Sequence, residues 1–218
     1  MEIRQAVPVL LDVMSDRTVR ATCAHTLSGL EYNAKAIRRF IEIGNRELAS
    51  DNPDRFWLEA VILGLGSTDD PRAAELLVTI FERVDLPGWV RGDAGDKLGC
   101  VGPVGDRRTQ LFRRCRDAAL RGLEDESIDV QFWSMYVIGS LAGEPYWGKR
   151  SSANPFKVAL KKLRQIAAND HRLAPGYWWS MSSEAEDVIC CIENGHWPEN
   201  DAAERWKGHP ERGESNRD

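Results

Sequence analysis

The 218 residues predict an all-α chain, a solenoid of about five stacked helical hairpins. Three observations carry this. A short template recurs from origins at residues 19, 56, 90, 130 and 181, a second apolar-periodic stretch precedes each copy, and the origins lie far enough apart for a two-helix unit. In the template an apolar residue is followed by a small one at offset four and by apolar residues near offsets seven, eight and eleven. At roughly 100° per residue these offsets share one stripe of an α-helix, the width of a core-facing face.

Clear copies are Val19, Cys23, Leu27 and Leu30; Val90, Ala94, Leu98 and Val101; and Val130, Ser134, Val137, Ile138 and Leu141. Weaker copies begin at Phe56, with Ala60, Leu63 and Gly64, and at Met181, with Ala185, Val188, Ile189 and Ile192. The small residue at offset four predicts a close approach by a neighbouring helix. The preceding helices are expected over Ile3 to Met14, Ala34 to Leu48, Pro71 to Val84, Thr109 to Leu123 and Pro155 to Ala168. A hairpin cannot bury both of its faces alone, so the copies must stack on one another.

Local punctuation agrees. Pro71 and Pro155 suit a first helical turn, after the capping candidates Asp70 and Asn154. Ser182 or Ser183 is available to cap the last helix, and Gly195 with Pro198 marks its end. Pro8 should kink the first helix or delay its start. The run Val61 to Leu65 is ambiguous between helix and strand. Residues 1–198 form the solenoid domain, whereas the polar tail 199–218 carries too little apolar surface for a core and is expected to be disordered.

The copies resemble the HEAT repeat family, in particular short bacterial HEAT-like repeats, through Asp16 with Val19 and Arg20, Val90 and Arg91 with Ala94, Leu98 and Gly99, and Asp125 with Val130, Ile138 and Gly139. The resemblance covers residues 1 to 195 and implies a ladder of aspartate and arginine between neighbouring repeats. Asp85 and Arg91 have the spacing of that ladder, while Asp51 is matched with Trp57 and Asp125 with Gln131, which predicts a broken ladder and unpartnered carboxylates. It also implies that the second helices line a concave binding surface.

Composition narrows the function. With 42% apolar and 29% charged residues, and no apolar run near the roughly 20 residues a membrane span needs, the chain is expected in the cytoplasm, without a membrane segment. Five scattered cysteines suit reduced hydrophobes better than a disulfide framework. A net charge of -5 argues against nucleic acid. Arg107, Arg108, Arg113, Arg114, Arg116 and Arg121 form one basic stripe, but interleaved acids make it a solvated helix face.

Catalytic signatures are lacking. The glycines from Gly88 to Gly105 have no phosphate-loop spacing, adjacent Cys190 and Cys191 suit no structural zinc site, and His25, His171, His196 and His209 are dispersed. No cofactor, metal or catalytic residue is expected. What stands out is tryptophan, with eight copies, and the residues at the template's off-stripe positions. Trp57, Glu59, Asp93, Asp96, Phe132, Trp133, Tyr136, Glu184 and Asp187 there give an acidic and aromatic surface. It suits a protein partner with a basic surface and an apolar anchor. The expectation is a non-enzymatic adaptor or inhibitor. The alternative implied by the resemblance is a HEAT-like enzyme of the bilin lyase or DNA glycosylase type. The sequence leaves the oligomeric state open.

Overall fold

A computed structural model describes residues 3–29, 34–66, 68, 70–100, 109–143, 154–174, 176 and 179–198. The tail from 199, the insert 144–153, Trp147, Trp178, Trp206, Arg107, Arg108 and His209 lie outside the described residues. The chain is all-helical. Its helices are α1 (Ile3–Val13), α2 (Arg20–Ser28), α3 (Ala34–Leu48), α4 (Arg55–Leu65), α5 (Pro71–Glu82), α6 (Gly88–Cys100), α7 (Gln110–Gly122), α8 (Ile128–Ala142), α9 (Leu160–Asn169) and α10 (Met181–Asn194), with a 3-10 turn at Pro155–Ala159 before α9. The ambiguous run Val61 to Leu65 is helical.

The helices pack in two rows. Each even-numbered helix contacts the next even one, from α2 through α4, α6 and α8 to α10, while α3, α5 and α7 follow one another along the other row. Sequential partners such as α3 with α4, α5 with α6 and α7 with α8 join the rows. The template residues meet between them: Ala60, Ala94, Ser134 and Ala185, all at offset four, are sealed from solvent, as are Val90, Val130, Val137, Ile138 and Val188. Cys23 at the same offset is buried too.

Glycine sets the closest approach. A Cβ on Gly92 would lie 2.8 Å from Asp129 Cβ and 3.0 Å from Trp133 Cδ1, one on Gly95 would meet Trp133 Cβ at 3.0 Å, and one on Gly99 would strike the Tyr136 ring at 2.6 Å. These glycines lie three and four residues apart, so they form a single groove along α6 into which α8 fits. Elsewhere in the core, the Phe40 ring of α3 occupies the space into which a side chain at Gly64 of α4 would project.

Helix ends follow the expected chemistry in most places. Asp54, Asp70, Thr109 and Asn154 accept backbone N–H groups at their helix starts. Gly195 ends α10 in the left-handed conformation, φ 86°. Three expectations need correction. Ser180, rather than Ser182 or Ser183, caps α10, because its hydroxyl is the one that accepts the Ser183 N–H. Pro8 lies inside α1, which begins ahead of it at Ile3. The fifth unit's first helix opens as a 3-10 turn. Buried Asn154 also donates to the Ala142 and Ile192 carbonyls, tying the ends of α8 and α10 together.

Two arginines clamp successive hairpins. Arg91 donates Nε–H to the Phe81 carbonyl at 3.2 Å and both terminal nitrogens to Asp125, at 3.3 and 2.6 Å. Asp125 in turn accepts the Ser127 N–H at the start of α8. Arg20 repeats the design, with Nε on the Met14 carbonyl at 2.9 Å and Nη1 3.6 Å from Asp54, the cap of α4. The arginine therefore pairs with the aspartate of the next hairpin, so Asp125, expected to lack a partner, is held by Arg91. At Trp57 the ring supports Arg20, whose guanidinium lies 3.8 Å above it. Asp85, expected on the ladder with Arg91, is gripped instead by Arg83 at 2.7 and 2.6 Å, and Arg83 also reaches the Leu48 carbonyl at 2.9 Å.

Truncating one side of a nearly buried pair strands the other charge. Arg91→Ala is expected to lower unfolding free energy by about 3 kcal/mol, and Arg91→Ala with Asp125→Ala together by clearly less than the sum of the two single changes, read from urea denaturation. Gly64→Ala is expected to cost about 1–3 kcal/mol by overpacking against Phe40; an unchanged midpoint would contradict the contact.

Candidate functional site

The even row carries the residues that the sequence singled out, in register. Glu59 of α4, Asp93 of α6, Trp133 of α8 and Glu184 of α10 all occupy offset three, and Asp96, Tyr136 and Asp187 occupy offset six. Equivalent positions on successive packed helices fall side by side. The sequence did not flag Asp129, which lies four residues before Trp133 on the same face of α8.

Asp93 is the electrostatic centre. Burial pushes its carboxyl from 3.8 up to about 6, and Glu59, Asp96 and Asp129 add like-charge repulsion from three successive even helices. Lys97 is the opposing cation; it pairs with Asp96 at 2.7 Å and lays its stem over Gly66. Lys97 stands at a template core position, and the stem packed on Gly66 is what its methylenes contribute there. Burial raises the Asp129 carboxyl as well. Negative charge on this face is thus crowded and only partly neutralised.

An aromatic string borders the carboxylates. Phe132 and Trp133 meet edge to face at 5.1 Å, Trp133 and Tyr136 at 5.6 Å, and Tyr136 stacks on Trp197 at 5.9 Å. Trp197 in turn covers Gly139 and is 37% exposed. Burial raises the Tyr136 phenol, which lies 3.6 Å from the Cys100 sulfur. The ring of Trp133 is half-buried against Gly92 and Gly95, leaving part of it at the surface beside Asp93 and Asp129.

Three of the expected binding residues are placed elsewhere. Phe132 is 1% exposed, so it is core rather than surface, because offset two of α8 is covered by its neighbours. Glu184 is 6% exposed and sits inside the first turn of α10, where burial, and then Asp187, push it from 4.5 up to about 8. Trp179 hydrogen-bonds to it, and its Oε1 has no hydrogen-bond partner. Trp57 is the platform for Arg20. Glu59, Asp93, Asp96, Trp133, Tyr136 and Asp187 are half-buried and keep part of their surface accessible.

Other candidates resolve simply. His25 is exposed on α2, and His171 Nδ1 lies 3.2 Å from Ser182 Oγ at the surface. On α7, Arg114 and Arg121 both bind Glu82, and Arg116 pairs with Asp117. Among the described residues, no three His, Cys, Asp or Glu side chains gather in a metal-holding arrangement, and no helix is long and apolar enough to cross a membrane.

No family model, curated protein or solved structure matches this chain. The site therefore has to be read from its own geometry.

Between pH 3.8 and about 6 the folded chain keeps a proton on Asp93 that the unfolded chain has released. Stability contributed at this position accordingly falls as pH rises through that window, and the penalty is complete above it. Asp93→Asn is expected to raise stability at pH 7 by up to about 2–3 kcal/mol, with the gain shrinking by about pH 4.5. Urea midpoints at the two pH values check this, and a gain independent of pH would show that charge is not the cause.

Proposed function

We propose that the chain is a non-enzymatic protein-binding module, an adaptor or an inhibitor, built as a HEAT-like α-solenoid. Its binding surface is the face of the even helices, and its partner presents a basic surface. The observation that carries this reading is the convergence of Glu59, Asp93, Asp96 and Asp129 from α4, α6 and α8 beside the half-buried ring of Trp133. An arginine or lysine brought here would meet carboxylates and the face of an indole together, the combination that gives a cation both Coulomb and cation–π attraction.

The electrostatics favour such an occupant on energetic grounds. Asp93 is held in a state where burial and three like charges oppose its ionisation, and a cation from a partner would relieve all three repulsions at once. The two-row packing supports a solenoid, since each row continues through neighbours in sequence order. The same acidic surface opposes a phosphate backbone, which speaks against the DNA glycosylase alternative.

Charge reversal tests the reading. Capture of partners from the native host with the wild-type chain, repeated with Glu59→Lys and Asp96→Lys, is expected to lose a basic protein that the wild type retains. Both side chains reach the surface in part, and thermal unfolding of each variant checks that the fold is intact. Recovery of every captured protein by the reversed variants would overturn the proposal.

A further inference from the structure

The first helix is finished on one side and unfinished on the other. Val7 and Met14 enter the core and Leu10 packs partly against it, yet Val9 is 58% exposed and Val13 is 41% exposed. Four residues separate the two valines, so they stand one above the other as an apolar ridge. Val9 and Val13 thus add an apolar strip outside the face that α1 buries. Here α1 packs chiefly on α2, whereas α3, α5 and α7 each have neighbours along their row.

Beside the ridge runs an open groove of about 430 Å³ between α1 and α3, lined by Pro8, Leu11 and Asp12 on one wall and Lys35, Arg38, Arg39 and Glu42 on the other. Its rim holds both signs of charge. Arg39 pairs with Glu42 at 3.3 Å, whereas the exposed Asp12, Lys35 and Arg38 side chains enter no ion pair among the described residues. One molecule thus offers an apolar ridge, an open groove beside it and exposed charges of both signs along the groove.

We propose that a second copy of this chain docks here, ridge into groove, by an isologous two-fold contact through α1. A two-fold interface requires a patch that complements itself, and this one carries a ridge, a groove and exposed charges of both signs together. Each copy's Val9 and Val13 enter the groove of the other, and Asp12 of each meets Lys35 and Arg38 of its twin. A partner of uniform charge could satisfy one half of the rim only at the expense of the other half. The contact lies at the α1 end of the rows and does not involve Glu59, Asp93 or Trp133, so it is independent of the proposed partner-binding face.

Sedimentation equilibrium on the full chain, across roughly 1–100 μM, reads the outcome. The expected result is a concentration-dependent dimer that Val9→Glu with Val13→Glu converts to monomer, without change in helicity or thermal midpoint, since both side chains are at the surface. Asp12→Lys should weaken the dimer at least several-fold, and adding Arg38→Asp to it should restore association. A monomer throughout the range, or a dimer unaffected by the glutamates, overturns the proposal. So does a dimer lost equally on removing residues 199–218, because that would make the tail the bridging element.

Discussion

The stacking of this chain depends on an arginine that belongs to three elements at once. Arg91 extends from the first turn of α6, binds the last carbonyl region of α5 through Nε, and grips the aspartate that organises the start of α8. A bidentate guanidinium in a nearly buried position fixes both distance and orientation, which a lysine could not do. It satisfies carbonyls at a helix end that would otherwise lack donors. Arg20 makes a looser version from α2: it donates to the Met14 and Ser15 carbonyls and brings Nη1 to 3.6 Å from Asp54 as an ion pair without a hydrogen bond.

Where the clamp is missing, other groups take over its job. Trp57 occupies the arginine's place on α4; it accepts the cation of Arg20 on its ring instead of reaching onward. The link onward from that hairpin then falls to Arg83, which binds Asp85 and the Leu48 carbonyl. On α8 the equivalent position is Gln131, whose amide donates to the Asp125 carbonyl and whose oxygen faces Arg172 at 3.5 Å; Arg172 is in turn held by Asp170. Each of these junctions thus has a polar tie, but the bidentate, nearly buried version is the one Arg91 makes with Asp125. The exposed ties are worth less, since solvent screens them, so the hairpins are unequally secured.

Helix placement was legible because the 3.6-residue period, the offset-four small residues and the caps Asp70 and Asn154 are local signals. The partners of the clamps were not, because Arg91 and Asp125 are 34 residues apart and nothing within one repeat says which aspartate the guanidinium will choose. The site was legible in part. Glu59, Asp93, Asp96 and Trp133 follow from register alone, whereas Glu184 shares the register of Glu59 and Asp93 and Phe132 stands one position before that of Trp133, and both are nonetheless buried. Asp129 escaped notice because an acidic residue in a first helical turn is already explained by the helix dipole. Only its position beside Gly92 and Asp93 gives it a second meaning.

The α6 helix concentrates unfavourable choices on one face. Gly92, Gly95 and Gly99 each sacrifice about 1 kcal/mol of helix propensity relative to alanine, and Asp93 adds a carboxyl that burial and three neighbours push toward neutrality. The glycines are explained by the fit of α8, since Asp129, Trp133 and Tyr136 occupy the space their side chains would need. Asp93 has no such packing reason. An asparagine or serine of similar size would fill the same space without the charge, and the nearest cation, Lys97, is already held by Asp96. A chain that keeps an energetically costly carboxylate on the row where its helices approach most closely is spending stability on something other than its fold, and the surface of that row is where the explanation has to be sought.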